Sequence, residues 1–167
     1  MLPARLIAMA LFALVPLAAA PAHAQTAPPP AAAQAVEPPR HSAEEVAAFV
    51  NEAVEFMKKV GPEKAFAAFN NPKGKWIDGD LYIFVFDMKG VYKATGYRPE
   101  RTGTDAWKMT DAAGQLVVQE IVKRAKRHGT STVDYLWKNP LTGKLENKTS
   151  YVVHSGDYVV GAGYYHK

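Results

Sequence analysis

The chain contains no cysteine. That excludes a thiol nucleophile, a Cys-x-x-Cys-His haem attachment, Cys-ligated zinc and any disulfide, so the fold must rest on its apolar core. Charge of one sign is also in short supply. Taking away residues 1–24 removes one of 20 basic side chains and none of 16 acidic ones, which leaves a net charge of +3. That is too little to argue for nucleic acid, though it is compatible with small anions. Histidines are few and scattered: His41, His128, His154 and His166 lie at the edges of separate segments, with no His-x-x-x-His spacing and no Gly-x-Ser-x-Gly. Neither a zinc site nor a nucleophile–histidine–acid triad can be assembled from that distribution. His154, Ser155 and Asp157 are neighbours in one turn and cannot serve as a triad. Asp78 and Asp80 lack the further oxygens of a calcium loop and read as the turn into a strand. The chain therefore reads as a non-enzyme, with no catalytic residue, no metal and no cofactor.

Long apolar runs are absent except at the start. Arg5, the apolar residues 6–17 interrupted by Pro16, and Ala22-His23-Ala24 make the three regions of a secretory signal cut after Ala24. The run is short of the ~20 residues that span a bilayer, so the exported chain is expected not to be membrane-spanning. Residues 25–40, QTAPPPAAAQAVEPPR, are Pro/Ala-rich and without apolar period, as in an extended spacer. Residues 41–167 then make one domain. A periplasmic or secreted location follows.

Ser42-Ala43-Glu44-Glu45 is a capping box, and Val46, Phe49, Val50, Ala53, Val54, Met57 and Val60 continue it as a helical stripe. Gly61 stops that helix, and Pro62 opens a shorter one through Phe69. Residues 81–86 are apolar on both strand faces, as in a covered strand, and Asp87-Met88-Lys89-Gly90 turns the chain back through residues 91–97. Residues 98–110 have no strand or helix period and read as a long excursion or one that contains a short helix. Residues 111–127 read as a second amphipathic helix, ended by Gly129 with a solvated basic terminus. A hairpin follows, turning through Asn139-Pro140-Leu141-Thr142-Gly143-Lys144, and residues 158–165 form the last strand. Helices and antiparallel hairpins in this order predict an α+β fold.

The hairpin carries Tyr135, Trp137 and Tyr151, and it also carries Lys148 inside its second strand. A cation there has two readings. It guards an edge strand, or it meets an anion beside an aromatic wall. Tyr135 and Trp137 share a strand face and offer O–H and N–H donors as well as apolar area. Trp107, in the excursion, is a candidate lid or a plug of the core. Gly161 and Gly163 alternate on one face, which allows close approach of a helix or a ligand, a helix being the expected one.

The segments GDLYIFVFDMKG, WKMTDAAGQLVVQEIVKRAK, VDYLWKNPLTGKLENKTSYV and GDYVVGAGYY, in that order, resemble the single Cache domain of bacterial extracytoplasmic sensors, over residues 45–165. The resemblance implies a PAS-like five-stranded antiparallel sheet. A long N-terminal helix would cover one face, and a ligand pocket under a short helical and loop excursion would lie on the other. It also implies binding of a small organic anion, often a short carboxylate, with Lys148, Tyr135, Trp137, Tyr151 and Trp107 as candidate ligand contacts. No kinase, methyl-accepting or cyclase domain follows Tyr165, so the chain looks like a free-standing secreted version. It would signal, if at all, through a membrane receptor or another periplasmic protein. Where the family often has a His-Pro pair, this chain has Ala94-Thr95-Gly96-Tyr97-Arg98-Pro99. The alternative function is a periplasmic interaction module whose pocket is filled by its own side chains.

Overall fold

The structure is a computed structural model and describes residues 40–166. The expected signal segment 1–24 and nearly all of the spacer lie outside the described residues.

Helix α1, Ala43–Val60, begins as its capping box dictates. Ser42 Oγ accepts from the Glu45 amide at 3.2 Å, and the Glu45 carboxylate accepts from the Ser42 amide at 2.7 Å. Two orphan amides are thereby satisfied. Val46, Val50, Ala53, Val54 and Met57 form its buried stripe. Gly61 breaks the helix at φ 85°, and α2, Pro62–Phe69, follows at once. Strands β1, Ile77–Asp78, and β2, Leu81–Tyr82, make a two-residue ribbon. Strands β3, Phe84–Asp87, and β4, Tyr92–Thr95, form the first hairpin. A 3-10 turn at Pro99–Arg101 opens the excursion, and α3, Val117–His128, closes it. Strands β5, Thr130–Lys138, β6, Leu145–Ser155, and β7, Tyr158–Tyr165, complete the chain.

Five strands pair antiparallel in the order β4-β3-β7-β6-β5. Each face has its own core, because side chains alternate along every strand. On one face Val85, Ala94, Val160 and Ala162 pack with Trp76, Phe69 and the stripe of α1. On the other, Phe84, Phe86, Val133, Tyr135, Val152 and Val159 pack under Val118, Ile121 and Val122 of α3. This is the expected α+β arrangement, with the long helix on one face and the excursion over the other.

Two local expectations differ. The strand read over 81–86 is split at Ile83, whose amide donates to the Trp76 carbonyl at 3.2 Å and whose carbonyl accepts from Gly96 at 3.1 Å. The second helix starts at Val117 instead of residue 111. Asp111 Oδ1 accepts from the amides of Ala113 (2.9 Å) and Gln115 (2.8 Å), and Gly114 sits at φ 83°. A short polar side chain that caps its own loop competes with helix formation, and here it wins over the apolar period.

Candidate functional site

The site lies on the α3 face, at the end of the sheet where β5, β6 and β7 meet β2. The Asn139 turn sets the register of the hairpin. Its Oδ1 accepts from the Leu141 and Thr142 amides at 2.9 and 3.3 Å, and Gly143 takes φ 69°. With that register Lys148 stands opposite Tyr135 on β5 and opposite Tyr165 on β7. Strand β6 is paired on both sides, so Lys148 is not an edge-strand lysine, and it is only 1% exposed.

The two strand glycines make room for this arrangement. A Cβ on Gly163 would come 2.7 Å from Lys148 Cε and 2.4 Å from Ser150 Oγ, and a Cβ on Gly161 would strike the Phe84 ring at 2.6 Å. Their bare backbone admits side chains from neighbouring strands. The expected helix approach is not what they serve.

The Lys148 ammonium lies over the Tyr82 ring, 4.2 Å from its centroid, and 4.8 Å from that of Tyr165. Its Nζ is buried and has no hydrogen-bond partner among the described residues. Burial pushes the Lys148 pKa down to about 7, against the opposing pull of the Asp80 carboxylate. Asp80 is itself buried and accepts from Asn139 Nδ2 at 2.8 Å. Tyrosine faces attract a cation but accept no hydrogen bond from it along the usual lines. The ammonium therefore keeps most of its donor capacity.

Around it the hydroxyls are desolvated. Burial raises the pKa of Tyr82, Tyr135 and Tyr165, so all three stay neutral donors. Tyr135 shares a 2.7 Å hydrogen bond with Ser150 Oγ and meets the Trp137 ring edge-on at 5.7 Å.

Two adjoining cavities share Tyr82, Tyr92, Thr95 and Trp137. The inner one, between the sheet and α3, has a volume of about 30 Å³, room for one or two waters. The outer one, about 530 Å³, adds Tyr97, Arg98, Arg101 and Lys138. Thr95, Tyr97 and Arg98, from the segment without the His-Pro pair, thus do contribute walls. Lys148 lines neither cavity: its ammonium meets the ring of Tyr82, which lines both, and the lysine itself borders a separate hollow with Asp134, Tyr135, Asn147, Thr149 and His166. Arg101 donates to Met109 Sδ at 3.4 Å and makes no ion pair among the described residues. Arg98, by contrast, is paired with Glu100.

Of the five residues expected at the site, Lys148, Tyr135 and Trp137 come together. Tyr151 does not: it packs into the α1-face core, on the opposite side of β6. Trp107 also stands apart from both cavities. It packs at Gly90, where a Cβ would meet its Cε3 at 2.8 Å, and its carbonyl accepts from Gln119 at 3.0 Å. Sequence reasoning missed Tyr82, Tyr165, Asp80 and Arg101. Tyr82 and Tyr165 were visible only as strand aromatics and Asp80 only as a turn residue.

The family model for single Cache domain 2 matches residues 32–167, and the chain belongs to that family. Over 88 residues it is 34% identical to the sensor histidine kinase MctS of Rhizobium johnstonii (strain DSM 114642 / LMG 32736 / 3841), which covers 52% of this chain and 19% of that curated relative's length. A methyl-accepting chemotaxis protein from Vibrio parahaemolyticus RIMD 2210633 superposes with TM-score 0.65 at 19% identity, over 73% of this chain and 86% of its own. A Cache chemosensory domain, solved for its carboxylic acid recognition, gives 0.63 at 23% over 74% and 92%. A periplasmic sensor domain of a chemotaxis protein gives 0.59 at 26% over 74% and 90%. The chain is thus a Cache sensor domain, related to those of sensor histidine kinases and chemoreceptors.

Proposed function

We propose that this domain binds a small organic anion, a short carboxylate, with Lys148 as its anchor and Tyr135, Trp137 and Tyr82 excluding water. The observation that carries the reading is the buried Lys148 ammonium without a hydrogen-bond partner among the described residues. Burying a charge is expensive unless it is paired, and a carboxylate forms the strong, charge-assisted bonds that an ammonium lacks here. Tyr82 lines both cavities and holds the ammonium over its ring. Its rotation would open the way from the outer cavity, whose Arg101 adds a second positive charge at the mouth. The carboxylic acid recognised by the Cache chemosensory domain of similar fold agrees in chemical class.

The reading extends to location and output. The domain is exported, its signal cut after Ala24, and it acts by binding, without catalysis. It passes occupancy to a separate membrane receptor or periplasmic partner. No helix among the described residues is long and apolar enough to cross a membrane. Mass spectrometry of the native protein should give a chain beginning at Gln25.

The experiment is thermal denaturation with acetate, propionate, pyruvate and lactate. A ligand that binds only the folded state stabilises it by about 2.7 kcal/mol at a hundredfold excess over Kd, which a melting curve resolves. One observation favours a second reading, a protein-interaction module with a self-filled pocket: the inner cavity admits only one or two waters. No melting shift with any small carboxylate, amine or amino acid would decide for that module.

A further inference from the structure

A chain of buried and half-buried polar contacts begins at Asp80, whose carboxylate acts on the Lys148 ammonium through space without an ion pair, and leads out of the site. Asn139, fully buried, spends both amide protons on acids: Nδ2 donates to Asp80 Oδ2 at 2.8 Å and to Glu146 Oε2 at 3.1 Å. Its Oδ1 is taken by the turn amides of Leu141 and Thr142. With every donor and acceptor engaged, Asn139 cannot follow one acid without pulling on the other. Glu146 then accepts from Arg40 Nη1, which also donates to the His166 carbonyl at 3.2 Å. Burial works against the Glu146 carboxylate, but hydrogen bonds from Thr142, Arg40 and Asn139 hold its pKa below the usual range. The next residue is anchored close to Asp80 in sequence, with His41 Nε2 3.0 Å from the Asp78 carbonyl. Arg40 and His41 lie just before the capping box of α1. The path therefore joins the Lys148 site to the point where the chain enters its long helix.

We infer that Asp80, Asn139, Glu146 and Arg40 form an electrostatic relay that couples the charge state of the Lys148 site to the anchoring of the segment leading into α1. Among the described residues the path carries four charges: Lys148 and Arg40 positive, Asp80 and Glu146 negative. An anion bound at Lys148 adds one negative charge to this path, and the cation that its hydrogen bonds reach is Arg40. Occupancy tightens Arg40 on Glu146 and fixes the start of α1. By reciprocity, releasing Arg40 weakens the anion's hold on Lys148. The use of this relay by a ligand rests on the anion-binding reading above; the coupling itself does not.

The test is a double-mutant cycle in the full chain without ligand, joining Lys148→Met and Arg40→Gln. Contacting networks of this kind are non-additive, and the expected coupling is about threefold or more in the unfolding equilibrium. It should vanish in an Asn139→Ala background. Should Asn139→Ala fail to fold, Glu146→Gln, which keeps shape and acceptor oxygen, should lower it. In parallel, the Arg40 Nε–H resonance is followed by NMR as propionate is added. It should move with saturation in the wild type and stay still in Glu146→Gln. An additive cycle in folded variants overturns the relay. Propionate that raises the melting temperature but leaves Arg40 unmoved also overturns it, while leaving the binding reading in place. If no carboxylate binds, the binding reading falls, and the ligand-free cycle still decides the coupling.

Discussion

Replacing Gly163 by Ala tests the packing of the site before any ligand is considered. The new Cβ would lie 2.4 Å from Ser150 Oγ, 2.7 Å from Lys148 Cε and 2.7 Å from the Thr149 carbonyl oxygen. The first two atoms can move; the carbonyl belongs to strand β6 and cannot move alone. Overpacking of this degree costs about 1–3 kcal/mol. Turning Ser150 away also breaks its bond to the Tyr135 hydroxyl, worth about 0.5–1.5 kcal/mol. Against this stands the about 0.5–1 kcal/mol by which Ala improves on Gly inside a strand. The net expectation is a loss of about 1–3 kcal/mol, within the stability of an ordinary domain. Gly161→Ala is the control, because its Cβ meets Phe84 and Val152 and leaves Lys148 alone. Urea denaturation should show both variants destabilised. NMR of the lysine side chains should show the Lys148 Cε and Nζ signals displaced in Gly163→Ala alone. Unchanged stability and an unchanged Lys148 signal in Gly163→Ala would refute the packing described for the site.

Other outcomes follow from the same contacts. Ser42→Ala removes the side-chain half of the capping box and should cost about 1 kcal/mol, read from the urea midpoint at constant slope. The depressed pKa of Lys148, about 7, fixes two pH effects of opposite direction. An unfolded lysine keeps its proton to higher pH, so between about 7 and the ordinary lysine value the unfolded state binds more protons and the Lys148 contribution to stability rises with pH. Carboxylate affinity needs the charged ammonium and should instead fall up to tenfold per pH unit above about 7. Stability and affinity measured across that range should diverge in the wild type, and Lys148→Met should remove the lysine's part of both trends.

Much of the architecture was legible because local signals agreed with the global fold. The capping box, the Gly61 stop and the Asn139 turn are each written in consecutive residues and formed as read. The helix expected from residue 111 was not, since the Asp111 side chain, bonded to its own loop amides, competes in a way that apolar period does not register. Tyr151 illustrates a signal overlooked. It stands three residues from Lys148, an odd separation that puts the two on opposite faces of one strand, as the structure has them. Tyr82 and Asp80 are different. Tyr82 meets the Lys148 ammonium with its ring and Asp80 acts on it through space, both from far away in sequence, and nothing local marks a turn aspartate as a charge felt by a lysine in the second hairpin. The site's lysine was visible as an oddity of composition; its tyrosine cage needed the topology.

The central claim is that the Lys148 ammonium receives a carboxylate. The direct measurement is a crystal structure of the chain grown with acetate. It should show the acetate oxygens within hydrogen-bond distance of Lys148 Nζ, with Tyr82 turned from its present position over the ammonium. A well-ordered structure in which Tyr82 still covers Nζ, and acetate is absent from the site at saturating concentration, would contradict it.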